Sequence, residues 1–445
     1  MKSTRSILLL LLSICTMAVY AQPTTVTLLR PAGGEVYRTG SSSDLRWDTT
    51  GTNGSRFLFQ FSTTPNGPWD NLPLPNGIAS VLDSTTIPSG NVGGRGQYLF
   101  GFRAPAVNTT SGYVRMVLLN RDGTPNFNVT SRNQVPFTIT QPAPVKVDSL
   151  ITGNITGTVT LQPTKIYGLS GYVWVQNGGV LRILPGTVVV GDAPGVNSAI
   201  IINRGGKIIA DGTKEKPIVF TSRAPAGQRD RGDWGGILVC GRATTNHPGG
   251  EAVMEGFPSD PVNARFGGGA SPDDNDNSGI LRYVRIEFGG IALFPNQEIN
   301  GLTLGAVGRG TIIENVMVSY SGDDSYEWFG GTVDSKRLIS YNGIDDDFDT
   351  DNGFRGRIQF ALAKRFRQVA DQSTSQAFES DNDASGSRNL PLTSPVFSNC
   401  TFIGPLQDTS MIAGSSAQQY NRLYGSSSMV RRNSRLSLFN SLVIG

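Results

Sequence analysis

The chain has one histidine, three cysteines and one long apolar run in 445 residues, and each scarcity closes off a class of function. With His247 alone, in the loop "TTNHPGG", neither a histidine-dependent triad nor a multi-histidine zinc site can be assembled. His247 is expected at the surface. One cysteine lies inside the apolar run, which leaves Cys240 and Cys400, too few for a disulfide framework. Their strand-like settings, "ILVCGRA" and "FSNCTFIG", point to buried free thiols. The apolar run "ILLLLLSICTMAV" follows Lys2 and Arg5 and ends near "VYA", the pattern of an export leader over residues 1–21 cleaved after Ala21. No later run approaches the roughly 20 residues that span a bilayer. The expected mature protein is therefore exported, either secreted or held on the outer cell surface, without a transmembrane segment. Without Lys2 and Arg5, 36 basic residues face 35 acidic ones, a balance that gives nucleic-acid binding no electrostatic support.

Helical periodicity is also scarce. In its place the chain has 55 glycines and apolar or alternating runs of five to eight residues, each closed by Gly, Asn or Pro, which predicts an all-β protein. A first unit, bounded at 22–142, contains "TVTLLRPAGGEVYRTGSSSDLRWD", "RFLFQFSTTPNGPWDNLP", "GQYLFGFRAP", "YVRMVLLN" and "VPFTIT". Roughly seven short strands with turn signals between them predict a β-sandwich. Trp47 and Trp69 read as core or strand-edge aromatics. "QPAPV", Gln141 to Val145, reads as a linker.

The second unit, 145–445, is organised by repetition. "YVRIEFGG" (Tyr283 to Gly290), "NVMVSYSG" (Asn315 to Gly322), "KRLISYNG" (Lys336 to Gly343), "VFSNCTFIG" (Val396 to Gly404) and "LFNSLVIG" (Leu438 to Gly445) are short strands that each end at a glycine. Spacings near 21 to 22 residues fit one coil of a parallel β-helix, in which each coil stacks on the last. The crossover rule makes the coil right-handed.

On these and further segments the chain resembles a group of bacterial secreted proteins with a right-handed, pectate-lyase-like β-helix. The carriers are "GGVLRILPGTVVV" (Gly178 to Val190), "INRGGKIIADGTKEKPIVFTS" (Ile202 to Ser222), "GDWGGILVCGRA" (Gly232 to Ala243) and "NGLTLGAVGRGT" (Asn300 to Thr311). The first unit resembles immunoglobulin-like or fibronectin-like modules of bacterial surface proteins, through Pro31-x-Gly33-Gly34-Glu35, the Trp47 strand and "FSTTPNGPWDNL". The resemblance implies a spacer or adhesive module followed by the β-helix. Many members of the group also carry a C-terminal sorting module; this chain stops at "SLVIG", inside what reads as a coil.

Two acidic boxes carry the functional question: "SGDDSYEWFGG" (Ser321 to Gly331) and "NGIDDDFDTDNG" (Asn342 to Gly353). Stacked coils place equivalent residues about 4.8 Å apart. Tyr326, Phe348 and, from "QAFES", Phe378 then form an inward ladder, and side-chain alternation sends Glu327, Asp349 and Glu379 outward. Like charges about 5 Å apart repel by roughly 1–3 kcal/mol, and a calcium ion bound at about 2.4 Å from each oxygen would bridge them. The candidate ligands are Asp323, Asp324, Glu327, Asp345, Asp346, Asp347, Asp349 and Asp351. The run Asp347-x-Asp349-x-Asp351-Asn352-Gly353 also reads as a calcium loop, although not of the EF-hand spacing. "SPDDNDNSG", Ser271 to Gly279, is a second acidic loop.

Three readings of these acids stay open: turn caps on a solvated surface, a structural or ligand-bridging calcium site, and catalysis. For the last, Asp345 to Asp349 resembles the Asp-Asp-Gly-Phe-Asp calcium box of some β-helical pectate lyases, with Asp347 in place of Gly. Those enzymes abstract a proton with a Lys or Arg, and Lys336, Arg355, Arg357 and Lys364 are near in sequence. Paired carboxylates also suit a retaining glycosidase. Trp234 and Trp328 are candidate sugar-stacking platforms or packing residues, and Glu379 and Asp381 candidate glycan contacts. The long segment Arg242 to Ser278 could wall a groove beside them. The expectation is an extracellular binding protein for polysaccharide or another cell-surface component, with calcium-stabilised coils; a calcium-dependent polysaccharide lyase and a ligand-free stalk are the alternatives.

Overall fold

The computed structural model describes residues 25–445 apart from 40–41, 51–55, 73–80, 84–88, 93–94, 106, 141–143, 193–196, 258–261, 295–296, 367–368, 372, 407–420 and 422. The expected leader and most of the linker signal lie outside the described residues. The described part is all β apart from one short 3-10 turn at Pro248–Gly250.

Residues 25–140 form two sheets. One holds the strands Thr25–Arg30, Ser42–Thr50, Ser89–Val92 and Arg95–Arg103. The other is built around Thr109–Leu119, which pairs antiparallel with Arg56–Ser62, Pro125–Arg132 and Phe137–Thr140. Both contribute to one core in which Leu45, Trp47, Phe59, Phe102, Val114 and Phe137 are fully buried. The alternation in Thr25–Arg30, with Val26 and Leu28 in and Thr25 and Thr27 out, is the period-2 signal that predicted the strand. More strands form than the seven expected, because two- and three-residue pieces such as Asp70–Asn71 and Val36–Arg38 are too short to show a period.

The remainder is one parallel sheet of 23 strands wound into coils with three faces. The first face stacks Ala199–Ile202, Ile237–Cys240, Leu302–Gly305, Tyr326–Phe329, Phe348–Asp351 and Ser375–Ser380. The third face stacks the aligned segments of the sequence, Val284 on Val316 on Leu338, and Leu362 on Thr401 on Leu442. The coil through Arg357–Gln359 and Leu362–Lys364 lacks the closing glycine that marks the other repeats in the sequence. The interior changes along the axis. Early coils are filled by Val173, Ile200, Ile202, Ile237 and Val239, and later ones by Tyr326, Trp328, Phe348, Phe354, Phe378 and Phe402. Each such side chain contributes about 1.5–3 kcal/mol by leaving water. Cys400 faces this interior and both cysteines are free.

Two insertions cover the outside of the first face. One, between Cys240 and Gly279, contains the paired strands Ala252–Val253 and Arg265–Phe266; the other is the hairpin Ile291–Phe294 with Gln297–Ile299. With Leu238, Cys240, Ala306 and Phe329 of the coils, Met254, Phe266, Ile291 and Ile299 form a second apolar core. His247 meets Phe266 of this core edge-on at 5.7 Å and is partly buried, so the histidine expected at the surface keeps only part of its ring in solvent. Among the described residues no helix is long and apolar enough to cross a membrane.

Candidate functional site

The strand Tyr326–Phe329 alternates across the first face. Tyr326 and Trp328 point in, and Glu327 and Phe329 point out. The next coil repeats this with Phe348 and Asp349, and the register is direct: Tyr326 on Phe348 on Phe378, and Glu327 on Asp349 on Glu379. The Tyr326 and Phe348 rings stack at 5.2 Å. The outward column reads Thr303, Glu327, Asp349, Glu379, Met429.

The turns that lead from the third face into these strands bring the remaining acids. The Asp346 amide donates to Asp324 Oδ1 at 2.7 Å, and the Gln376 amide donates to Asp346 Oδ1. Each turn is thus tied to the next by a carboxylate. Two triads result, Asp323, Asp324 and Asp345, and Asp324, Glu327 and Asp349; within each, one oxygen per residue lies within 4.8 Å of the others. Asp324 belongs to both.

Burial, followed by the neighbouring acids, pushes the carboxyls of Asp323, Asp324, Glu327, Asp346 and Asp349 well above the usual carboxylate range. Asp345 is pushed up to about 7, by burial and then by Asp371. Two oxygens in these triads, Asp345 Oδ1 and Asp349 Oδ1, are buried without a hydrogen-bond partner. Asn300 donates to Glu327 Oε2, while its own Oδ1 is also buried and unpartnered. An all-oxygen donor set with orphaned acceptors and mutually repelling charge fits a hard cation. Calcium, at 2.3–2.6 Å from each ligand, spans oxygens separated by roughly 4.6–5.2 Å.

Several expected site residues fall elsewhere. Asp347 is fully buried on the inside of the coil, where it accepts from Ser340 Oγ at 2.5 Å and from Arg365 Nε at 3.0 Å. The chain turns a corner between Asp347 and Phe348, so the alternation that sends Asp349 outward does not extend back to Asp347. The calcium loop expected from Asp347 onward therefore lacks its first ligand. Asp351 is outward in the neighbouring column; it accepts from the Asn352 amide at 2.5 Å and is outside both triads. Glu379 and Asp381 are ion-paired with Arg431, and Asp381 also with Arg432 at 2.7 Å, which neutralises the column from its third acid onward. Trp234 and Trp328 are 1% and 0% exposed and cannot serve as sugar platforms. Trp234 donates Nε1 to the Glu287 carbonyl at 2.9 Å, and Trp328 stacks on Phe354 at 5.5 Å.

The acidic loop at Ser271 to Gly279 is a bracket: Asp274 accepts from the Thr244 amide and pairs with Arg355, each at 3.0 Å. The other basic residues near the boxes in sequence are dispersed. Arg357 pairs with Asp334, Lys336 lies off the first face in register with Glu314 and Gln359, and Lys364 on the third face beside Tyr341. Neither Asn300 nor Ser373, which donates to Asp345 Oδ2 at 2.8 Å, stands in a motif or repeat that marks it as a site residue in the sequence.

A coiled parallel sheet whose outer face gathers carboxylates defines the molecule as an acid-lined β-helix. Residues 153–421, more than half of the chain, match the pectate-lyase-like β-helix domain, and the chain belongs to that family. Comparison with curated proteins found no match.

Proposed function

We propose that this protein is an exported, surface-held or secreted binder of acidic polysaccharide that uses calcium on the first face of its β-helix. The observation that supports this reading most is the pair of carboxylate triads joined at Asp324, with Asp345 Oδ1 and Asp349 Oδ1 unpartnered. Asp323, Asp324, Glu327, Asp345 and Asp349 hold the cation, and Asp346 fixes the turn beneath it. A bound cation with coordination positions left over recruits the carboxylates of an acidic sugar, whereas the bare acids repel them. The leader-like residues 1–21 support export, and the two-sheet unit at 25–140 acts as an immunoglobulin-like spacer.

Binding is favoured over elimination because Arg355 and Arg357 are engaged by Asp274 and Asp334, and Lys336 and Lys364 stand on other faces. Two measurements test the proposal: calcium titration of the chelator-treated protein by calorimetry, and retention of polygalacturonate and alginate on immobilised protein with calcium or chelator. Calcium binding with calcium-dependent retention and no unsaturated sugar product is the expected result. Accumulation of unsaturated product moves the reading to a lyase, and failure to retain either polymer in calcium removes the polysaccharide.

A further inference from the structure

The strand Val36–Arg38 pairs with Phe137–Thr140 at the edge of the two-sheet unit, and its Tyr37 points into that unit's core. Alternation then sends Val36 and Arg38 outward. Val36 is 68% exposed, but Arg38 is only 7% exposed, because the loop that follows the strand Ile218–Thr221 of the β-helix lies over it. Arg38 Nη2 donates to Asp233 of that loop, and Asp233 is itself held by Ser222 Oγ and by the Asp230 amide at 3.0 Å. A guanidinium carries five N–H donors. Those on Arg38 Nε and Nη1 are buried and find no partner among the described residues.

Arg38 lines a cleft of about 530 Å³ between the two units. The two-sheet unit also contributes Arg30 and Ser43, and the β-helix loop contributes Gln228, Arg229 and Asp230. Arg229 is fixed in place: Nε donates to the Ala224 carbonyl and Nη1 to Thr221 Oγ1, each at 3.1 Å, with Glu287 3.7 Å away. Among the described residues, three guanidiniums line the cleft with the single carboxylate of Asp230, which accepts from the Arg231 amide at 2.8 Å. Asp233 and Glu287 balance part of the charge from outside the lining and still leave the Arg38 donors unused. Buried cationic donors without partners are costly, and an oxyanion is the ligand that satisfies them, since arginine pairs with carboxylate, sulfate and phosphate oxygens through charge-assisted hydrogen bonds.

We propose that this cleft binds an oxyanion group, a carboxylate, sulfate or phosphate, through Arg38 and Arg229 with Arg30 beside them. The site takes a ligand of opposite sign to the cation of the acidic triads and is independent of the calcium reading above. An acidic polysaccharide supplies such groups on its sugars, and inorganic sulfate or phosphate supplies them free. The anion is held by both units at once, so occupancy clamps the two-sheet unit onto the β-helix.

The test is calorimetry with hydrogen exchange by mass spectrometry on the whole protein, in chelator and at constant ionic strength, with sodium sulfate, phosphate or galacturonate as probes and galactose as the uncharged control. Expected for the native chain is binding of at least one of the three anions, none of galactose, and slower exchange confined to residues 36–38 and 223–233. Arg229→Gln should lower anion affinity about tenfold or more. So should Arg38→Gln combined with Asp233→Asn, which removes both members of the buried pair and strands neither charge. Arg337→Gln, at an exposed arginine outside the cleft, should change neither affinity nor exchange there. Galacturonate binding supports the proposal with an acid sugar as ligand, and sulfate or phosphate binding without it supports a free inorganic oxyanion. No anion heat from the native chain, slowing spread evenly along the chain, or affinity unchanged in both cleft variants overturns it.

Discussion

The Asp346 backbone amide donates to Asp324 Oδ1 across a coil boundary at 2.7 Å, so the same carboxylate that ties two turns together is also the member shared by both acidic triads. Turn capping and cation binding are therefore not alternatives here. Asp324 Oδ1 caps the next turn, and an oxygen of the same carboxylate lies within 4.8 Å of oxygens of Asp323 and Asp345 and of Glu327 and Asp349.

Because the triads repel internally, removing an acid has opposite effects with and without calcium. Asp349→Asn should raise the melting temperature in chelator by about 2–4 °C, since relief of one close repulsion amounts to roughly 1 kcal/mol. In calcium the order inverts, because the native chain gains stability from the ligand and the variant gains little. Thermal melts of both proteins in chelator and in excess calcium check this, and a variant less stable than the native chain in both conditions contradicts it.

The pH dependence follows from the same carboxyls. Asp345 is held at about 7 by burial and Asp371, and Asp351 at about 7 by burial against the pull of the Asn352 amide. A carboxyl whose folded pKa is raised binds more protons folded than unfolded between about pH 4 and 7, so stability falls as pH rises through that window. The calcium-free protein should lose stability as pH rises from about 4 through 7, and the more strongly raised carboxyls of Asp323, Asp324, Glu327, Asp346 and Asp349 act in the same direction. With calcium the slope should reverse, because the ion requires the deprotonated acids. Urea titrations at three pH values, with and without calcium, give both slopes.

Asp347 separates structure from function within one acidic box. It and Arg365 are both about 1% exposed, and removing one partner of such a pair leaves a buried charge. Asp347→Ala should destabilise by about 3–5 kcal/mol. The folded fraction at low temperature should still bind calcium with native affinity, which calorimetry at 10 °C would show; affinity lost in step with Asp349→Ala would return Asp347 to the metal site.

What was legible in the sequence is what period-2 alternation and coil spacing encode. The inward ladder Tyr326, Phe348, Phe378 and the outward column Glu327, Asp349, Glu379 follow from those two rules, and both are present in the register. Alternation stops at corners, which is why the candidate ligand Asp347 lies buried against Ser340 and Arg365 and not beside Asp349 on the outer face. Exposure of a tryptophan is not encoded by its neighbours either: Trp328 is inward by parity with Tyr326, whereas Trp234 sits in a turn whose packing depends on Gly191 of another coil. Contacts such as Asn300 to Glu327 and Arg431 to Glu379 join segments 27 and 52 residues apart and leave no local trace.

The strand that presents Asp349 outward is anchored inward by Phe348, which stacks on Tyr326 at 5.2 Å and meets Phe402 edge-on at 6.0 Å. Phe348→Ala should cost about 3–5 kcal/mol, the usual range for a fully buried phenylalanine. Phe348→Leu keeps most of the volume and should cost less than about 1.5 kcal/mol if the core repacks. The two differ at the site as well. A cavity behind the strand lets Asp349 drift relative to Asp324 and Glu327, so the Ala variant should bind calcium more weakly even where it is fully folded, and the Leu variant should not. Calorimetry on both, at a temperature where circular dichroism shows native strand content, separates the effects; equal calcium affinity in the two would mean that the acids are positioned by their turns alone, through the Asp346 amide on Asp324, and not by the aromatic ladder behind them.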